Sequence, residues 1–296
     1  MAIKLPSARD PLDDVKWIIG IMILLWFVWF FTGGPARQIS QVGPFIKPPA
    51  PLDSGETYGS LPSLNSGISR LSEIDLSFFK DQVFLRSVSG GKESSSDKEY
   101  VEIKASGRNE KPIFITGWTL QNTTGNRIPI GSASQLPYLS QINQENPLFL
   151  NKDESAYIVT GRSPIGVSFR VNSCSGYLEQ FQNFSPPLKL TCPSSLEGVN
   201  TAAFNLDQTC VDYINRMPRC TTNTGSLPSN LSPSCTSFIN LQINYNSCVT
   251  THKNDSRFYQ PEWRLFLKQT NEFWNNTKET VRLIDHGGKL VDIMTY

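Results

Sequence analysis

Residues 98–120 read KEYVEIKASGRNEKPIFITGWTL, and residues 274–296 read WNNTKETVRLIDHGGKLVDIMTY. In the first stretch, residues 100–104 alternate. Val101 and Ile103 face one way and Tyr100 and Glu102 the other, which is the period of a strand with one buried face. In the second, residues 280–284 and 290–294 are strand-like runs joined by DHGGK at 285–289, where Gly287 and Gly288 supply a hairpin turn. Separated by most of the chain, the two stretches read as the two ends of one β-sandwich, with Val101 and Ile103 in its core.

The sequence between them divides in two. Residues 82–88 (QVFLRSV), 113–116, 118–121, 127–130, 156–160 (AYIVT) and 166–171 (GVSFRV) are short strand patterns. They are separated by polar turns such as the 90–97 loop (GGKESSSD) and NTTGN at 122–126, where Gly125 accepts positive φ. Residues 262–268 (EWRLFLK) return to strand. Sandwich strands are therefore expected over 80–171 and 262–296. From 172 to 261 the alternation fades, and short helical spacings appear around CVDYINRM and SCTSFINL.

All six cysteines, Cys174, Cys192, Cys210, Cys220, Cys235 and Cys248, fall in that 172–261 segment. An even set in one segment predicts three disulfides formed under oxidising conditions, with fifteen pairings left open. Zinc ligation is disfavoured because no C-x-x-C pair occurs and the chain has only two histidines. Buried free thiols are the bland alternative. The segment reads as an insert of helices and loops that needs staples because its own apolar content is thin.

At the other end, residues 17–31 read WIIGIMILLWFVWFF. Extended to residue 36, this run predicts a transmembrane helix over 17–36 flanked by interfacial tryptophans. Lys4, Arg9 and Lys16 precede it and Arg37 follows. That asymmetry predicts a cytoplasmic tail (1–16), a single-pass plasma-membrane protein and an extracytoplasmic C-terminal region. Residues 37–79, rich in Pro, Gly and Ser, read as a stalk. The chain carries 27 Lys and Arg against 26 Asp and Glu, a net charge of +1. That balance argues against a protein dependent on many phosphate contacts.

Several elements are similar to the lamin-tail domain family: EYVEI (99–103), GWTL (117–120) followed by a turn and Ile128, ESAYIVTG (154–161), ETVRLID and KLVDIMTY. The resemblance implies an immunoglobulin-like, all-β sandwich in which Trp118 packs between two sheets. It also implies a binding or scaffold role; within that family the expected anchor and the cysteine segment favour the bacterial surface type, and the absence of coiled-coil heptads argues against the filament-forming type. The cysteine-rich segment departs from that compact domain.

Candidate chemistry is sparse. His286 lies in a turn and reads as solvated. His252 lies near Asp255, a pair suited to acid–base work, yet no nucleophile stands out. Asp97, Glu99, Glu102, Asp285 and Asp292 read as surface carboxylates, since no calcium-loop spacing is present. Lys104, Arg108 and Lys111 are interleaved with Glu102 and Glu110 and read as a mixed solvated face. Trp263, Phe266, Phe273 and Trp274 read first as core. Trp263, Phe266, Trp274 and His252 are the interaction candidates if they are exposed. No catalytic, cofactor or metal residue is assigned. The sequence thus predicts a membrane-anchored binding or scaffold protein of the cell envelope whose partner is an envelope protein or polymer. The alternatives are an envelope-associated hydrolase acting on nucleic acid or cell-wall polymer through His252 and a structural subunit of a surface assembly.

Overall fold

The computed structural model describes residues 11–31, 75–89 and 93–296. Residues 1–10 of the expected tail, 32–36 of the expected span, 37–74 of the expected stalk and 90–92 of the polar loop lie outside the described residues. The chain divides into two compact units, Met1–Ser66 and Gly67–Tyr296.

In the first unit one helix, α1 (Pro11–Phe31, 21 residues), is described, with Trp17 to Phe31 exposed along it. Among the described residues no helix is long and apolar enough to cross a membrane. This corrects the predicted transmembrane helix, and with it the single-pass plasma-membrane location and topology drawn from it. The physical reason is length. At 1.5 Å per residue the apolar run 17–31 extends roughly 22 Å, against a hydrocarbon core of about 30 Å. Asp13, Asp14 and Lys16 occupy the start of the helix.

The second unit holds a five-stranded sheet in the order β1 (Val83–Val88), β2 (Tyr100–Ala105), β7 (Ser155–Val159), β9 (Tyr259–Phe266), β8 (Phe169–Asn172). A four-stranded sheet has the order β11 (Leu290–Thr295), β10 (Thr280–Ile284), β4 (Thr119–Gln121), β5 (Arg127–Pro129), and β3 (Ile113–Phe114) pairs with β6 (Phe149–Leu150). The neighbours are antiparallel except β7 and β9, which run parallel, Ala156 opposite Trp263 and Ile158 opposite Leu265. The β10–β11 hairpin forms where DHGGK predicts it, with Gly288 at φ +80°.

The two larger sheets share one core. Val83, Val101, Ile103, Ile158 and Leu265 from the five-stranded sheet meet Leu120, Val281, Leu283 and Val291 from the four-stranded one, with Trp118 fully buried among them. The opposite face of the five-stranded sheet has a second core. Val159, Phe169 and Phe266 pack there with the apolar side chains of α2 (Gly176–Glu179), α3 (Gln208–Arg216), α4 (Pro233–Gln242) and α5 (Tyr245–His252). Successive strand residues point to opposite faces. Hence Leu265 enters the first core and Phe266 the second, and the second half of β9, from Trp263 to Phe266, is a continuous buried run, like strands covered on both faces.

The fold is therefore mixed α/β, with eleven strands in three sheets and five helices among the described residues. This corrects the all-β, immunoglobulin-like expectation. The helices of the 172–261 segment cover a sheet face that would otherwise expose Phe169 and Phe266. The segment's expected end is also too late, because β9 begins at Tyr259.

Three disulfides staple the helical layer: Cys174–Cys248, Cys192–Cys220 and Cys210–Cys235. The last joins equivalent positions of two helices. Cys210 and Cys235 each stand three residues after an N-cap, and their backbone N–H groups donate to Asp207 Oδ1 and Ser232 Oγ respectively. Capping thus fixes both first turns and presents the two sulfurs to one another.

Candidate functional site

A cleft of about 640 Å³ opens where the rim of the five-stranded sheet meets the stapled layer. That volume is in the range of small-ligand sites. Three segments wall it: Ser95, Asp97 and Lys98 before β2; Arg162, Ser163 and Pro164 after β7; and residues 182–185 with Pro187 from the helical layer. Its apolar floor is Phe184 and Phe266, both buried, with Phe184 set edge-to-face against Phe169.

The walls are tied together by short polar contacts. Gly161 N–H donates to Ser96 O (2.8 Å), and Arg162 N–H donates to Asp97 Oδ1 (3.0 Å). Ser185 Oγ donates to Lys98 O at 2.9 Å, joining the sheet rim to the opposite wall. Beneath that wall lies Arg264 of β9, which is 2% exposed. Its guanidinium pairs with Glu262, lies 4.7 Å from the Tyr157 ring centroid, and donates to Pro186 O (2.5 Å) and Pro187 O (3.4 Å). A buried guanidinium with carboxylate, carbonyl and ring partners is a fixed strut. Asp97, Lys98, Arg162 and Asn183 are exposed. Among the described residues neither Lys98 nor Arg162 pairs through its side chain with a carboxylate.

The four interaction candidates are all buried, so they form no exposed aromatic platform. Trp263 Nε1–H donates to Glu154 Oε2 (3.3 Å), and Arg170, paired with Glu154, stacks over the Trp263 ring. Trp274 and Phe273 donate their backbone N–H groups to the Glu99 carboxylate. Of the three aromatic candidates, only Phe266 lines this cleft, as part of the floor.

His252, at the end of α5, is buried with Nδ1 2.8 Å from Asp255 Oδ2. It lines a smaller cavity of about 160 Å³ with Tyr177, Ser194, Ser195, Ser247 and Thr251. Burial pushes the Tyr177 hydroxyl to titrate above its ordinary range. The dyad is oriented for acid–base work, yet Ser247 Oγ donates to Leu241 O, and among the described residues no hydroxyl is hydrogen-bonded to the imidazole.

The carboxylates read as surface groups divide. Glu102 is half-buried and Asp97 exposed, but Glu99 and Asp285 are buried acceptors. Asp285 takes Ser77 Oγ–H and the N–H groups of Gly287 and Lys289, and so builds its own turn. Asp292 Oδ2 accepts Leu85 N–H at 2.7 Å, which links β11 to β1. Among the described residues no group of three or more His, Cys, Asp or Glu side chains is arranged to hold a metal ion.

Sequence reasoning missed Lys98, Arg162, Asn183 and Phe184. They sit in three separate loops, and nothing in their spacing connects them. No protein-family model matches the chain, and no curated protein matches it.

Proposed function

We propose that this chain is a binding module that engages a protein or polymer partner through the cleft between the sheet rim and the disulfide-stapled layer. The observation that carries this reading is the composition of the cleft. One wall and part of the floor belong to the strand framework, and the facing wall belongs to the helical layer, so the two halves of the fold make one concave surface. The three disulfides support a rigid presentation of that surface.

The test uses the neutral dye N-phenyl-1-naphthylamine, whose fluorescence rises in apolar sites. Asn183 is exposed at the cleft wall, so Asn183→Trp fills the cleft without touching a core. The full chain should show a saturable dye site that Asn183→Trp removes while the thermal melt stays unchanged. Identical titrations for both proteins would overturn the reading. Signal remaining in the blocked variant measures dye bound elsewhere, including on exposed α1.

A further inference from the structure

Lys98 and Arg162 reach the cleft from two different loops, and both flank the floor of Phe184 and Phe266. Resting on the cleft as the binding site, we infer that its ligand is an amphipathic anion: one carboxylate, sulfate or phosphate group attached to an aromatic or aliphatic body.

Each part of that description answers to a part of the site. The apolar floor supplies affinity through area removed from water. The two cations, exposed and uncommitted to any carboxylate among the described residues, supply a preference for negative charge and penalise a cationic ligand. Asp97, the acidic residue of the lining, accepts the Arg162 backbone N–H through Oδ1 and is engaged in holding the loop. Gln182, Asn183, Ser95 and Ser163 add polar side chains around the same opening. A bare inorganic anion would rely on exposed charge pairs alone, which are weak. A long nucleic acid would find only two cations here, too few for tight binding to many phosphates.

The experiment compares two dyes of one aromatic type in the full chain. 1-Anilinonaphthalene-8-sulfonate carries the anion, and N-phenyl-1-naphthylamine lacks it. Signal from Asn183→Trp is subtracted from each titration. In Lys98→Gln/Arg162→Gln the sulfonate dye should lose roughly tenfold in affinity, the sum of two exposed charge contacts. The neutral dye should keep its affinity. The wild-type sulfonate affinity should fall with added salt, and the neutral dye's should not. Equal sulfonate binding by the wild type and the double variant, with the neutral site present, overturns the anion preference and leaves the cleft standing. Loss of both dye sites on the wild type overturns the cleft itself. Acetyl-Phe-Glu-amide then separates two sources of the same chemistry. Displacement of the sulfonate dye assigns the anion to a polypeptide side chain. Charge-dependent dye binding without displacement assigns it to a free small anion.

Discussion

The backbone N–H of Arg162 donates to Asp97 Oδ1 at 3.0 Å, which holds the loop before β2 against the turn after β7. The adjacent Gly161 explains how two backbones approach so closely. A Cβ there would stand 2.7 Å from Asp97 Cα and 2.8 Å from Asp97 N, with Asp97 Oδ1 nearer still. These are main-chain atoms and cannot step aside as a flexible side-chain tip does. Gly161→Ala should push the 93–98 loop off the turn and destabilise the fold by about 1–3 kcal/mol, the usual cost of overpacking. It should also abolish cleft dye binding. Urea unfolding and dye titration on one preparation check both, and unchanged dye affinity would show that the loop contact does not shape the cleft.

Arg264 is the strut under the opposite wall. Arg264→Met keeps much of the stem volume and Arg264→Lys keeps the charge, but neither restores the contacts to Glu262, Pro186 and Pro187 together. Loss of a buried, hydrogen-bonded charge from one partner costs about 3–5 kcal/mol. Both variants should therefore melt lower, and both should loosen the 185–187 wall, read as faster amide exchange there. A charge-only role would leave Arg264→Lys close to wild type.

The disulfides differ in the loops they close. Cys174–Cys248 spans 74 residues, against 28 for Cys192–Cys220 and 25 for Cys210–Cys235. In the chain-entropy account the first contributes about 4.5 kcal/mol and the last about 3.5. Cys174 stands two residues after the end of β8 and Cys248 lies in α5, so this bond also ties the helical layer to the sheet. The double variant Cys174→Ala/Cys248→Ala should lower stability more than Cys210→Ala/Cys235→Ala, as judged by urea midpoints. The reverse order would place the decisive constraint between α3 and α4.

Much of the strand framework is legible in the sequence because it rests on local signals. Val101 and Ile103 alternate with Tyr100 and Glu102, and the β10–β11 hairpin is announced by its glycines. The bodies of α3 and α4 are announced by helical spacing from Cys210 and Cys235 onward. What is not legible is long-range. The parallel pairing of β7 with β9 joins residues about a hundred positions apart, and no local pattern encodes it. Because β9 is buried on both faces, WRLFL carries no alternation to show that Phe266 faces a helical layer. The second core that this layer builds on the sheet is therefore hidden in the sequence. Residues 17–31 are as apolar as they read, but among the described residues no helix is both long and apolar enough to cross a membrane. The cleft was invisible because Lys98, Arg162 and Asn183 meet only after the two layers pack.

Three buried carboxylates set opposing pH dependences. Burial is the largest influence on each and acts to raise its pKa. For Glu99 burial prevails over the N–H groups of Phe273 and Trp274, and its pKa is raised. For Glu279 and Asp285 the hydrogen bonds prevail and the pKa is lowered. Thr123, Thr280 and Asn275 donate to Glu279, and Ser77, Lys289 and Gly287 donate to Asp285. The linkage signs follow. Glu279 and Asp285 contribute stability that is present above the ordinary carboxylate range and is lost as pH falls through their depressed values. Glu99 acts the other way: its contribution is full in acid and is lost as pH rises through its raised value. Glu279→Gln and Asp285→Asn should each flatten the acid limb of a urea-midpoint profile taken from about pH 3 to pH 7. Glu99→Gln should remove the opposing slope. It should also cost about 1–3 kcal/mol at every pH, because an amide cannot accept both the Phe273 N–H on one oxygen and the Trp274 N–H on the other. An acid limb as steep in Asp285→Asn as in the wild type would show that Ser77 and the hairpin N–H groups do not hold that carboxylate in its charged form.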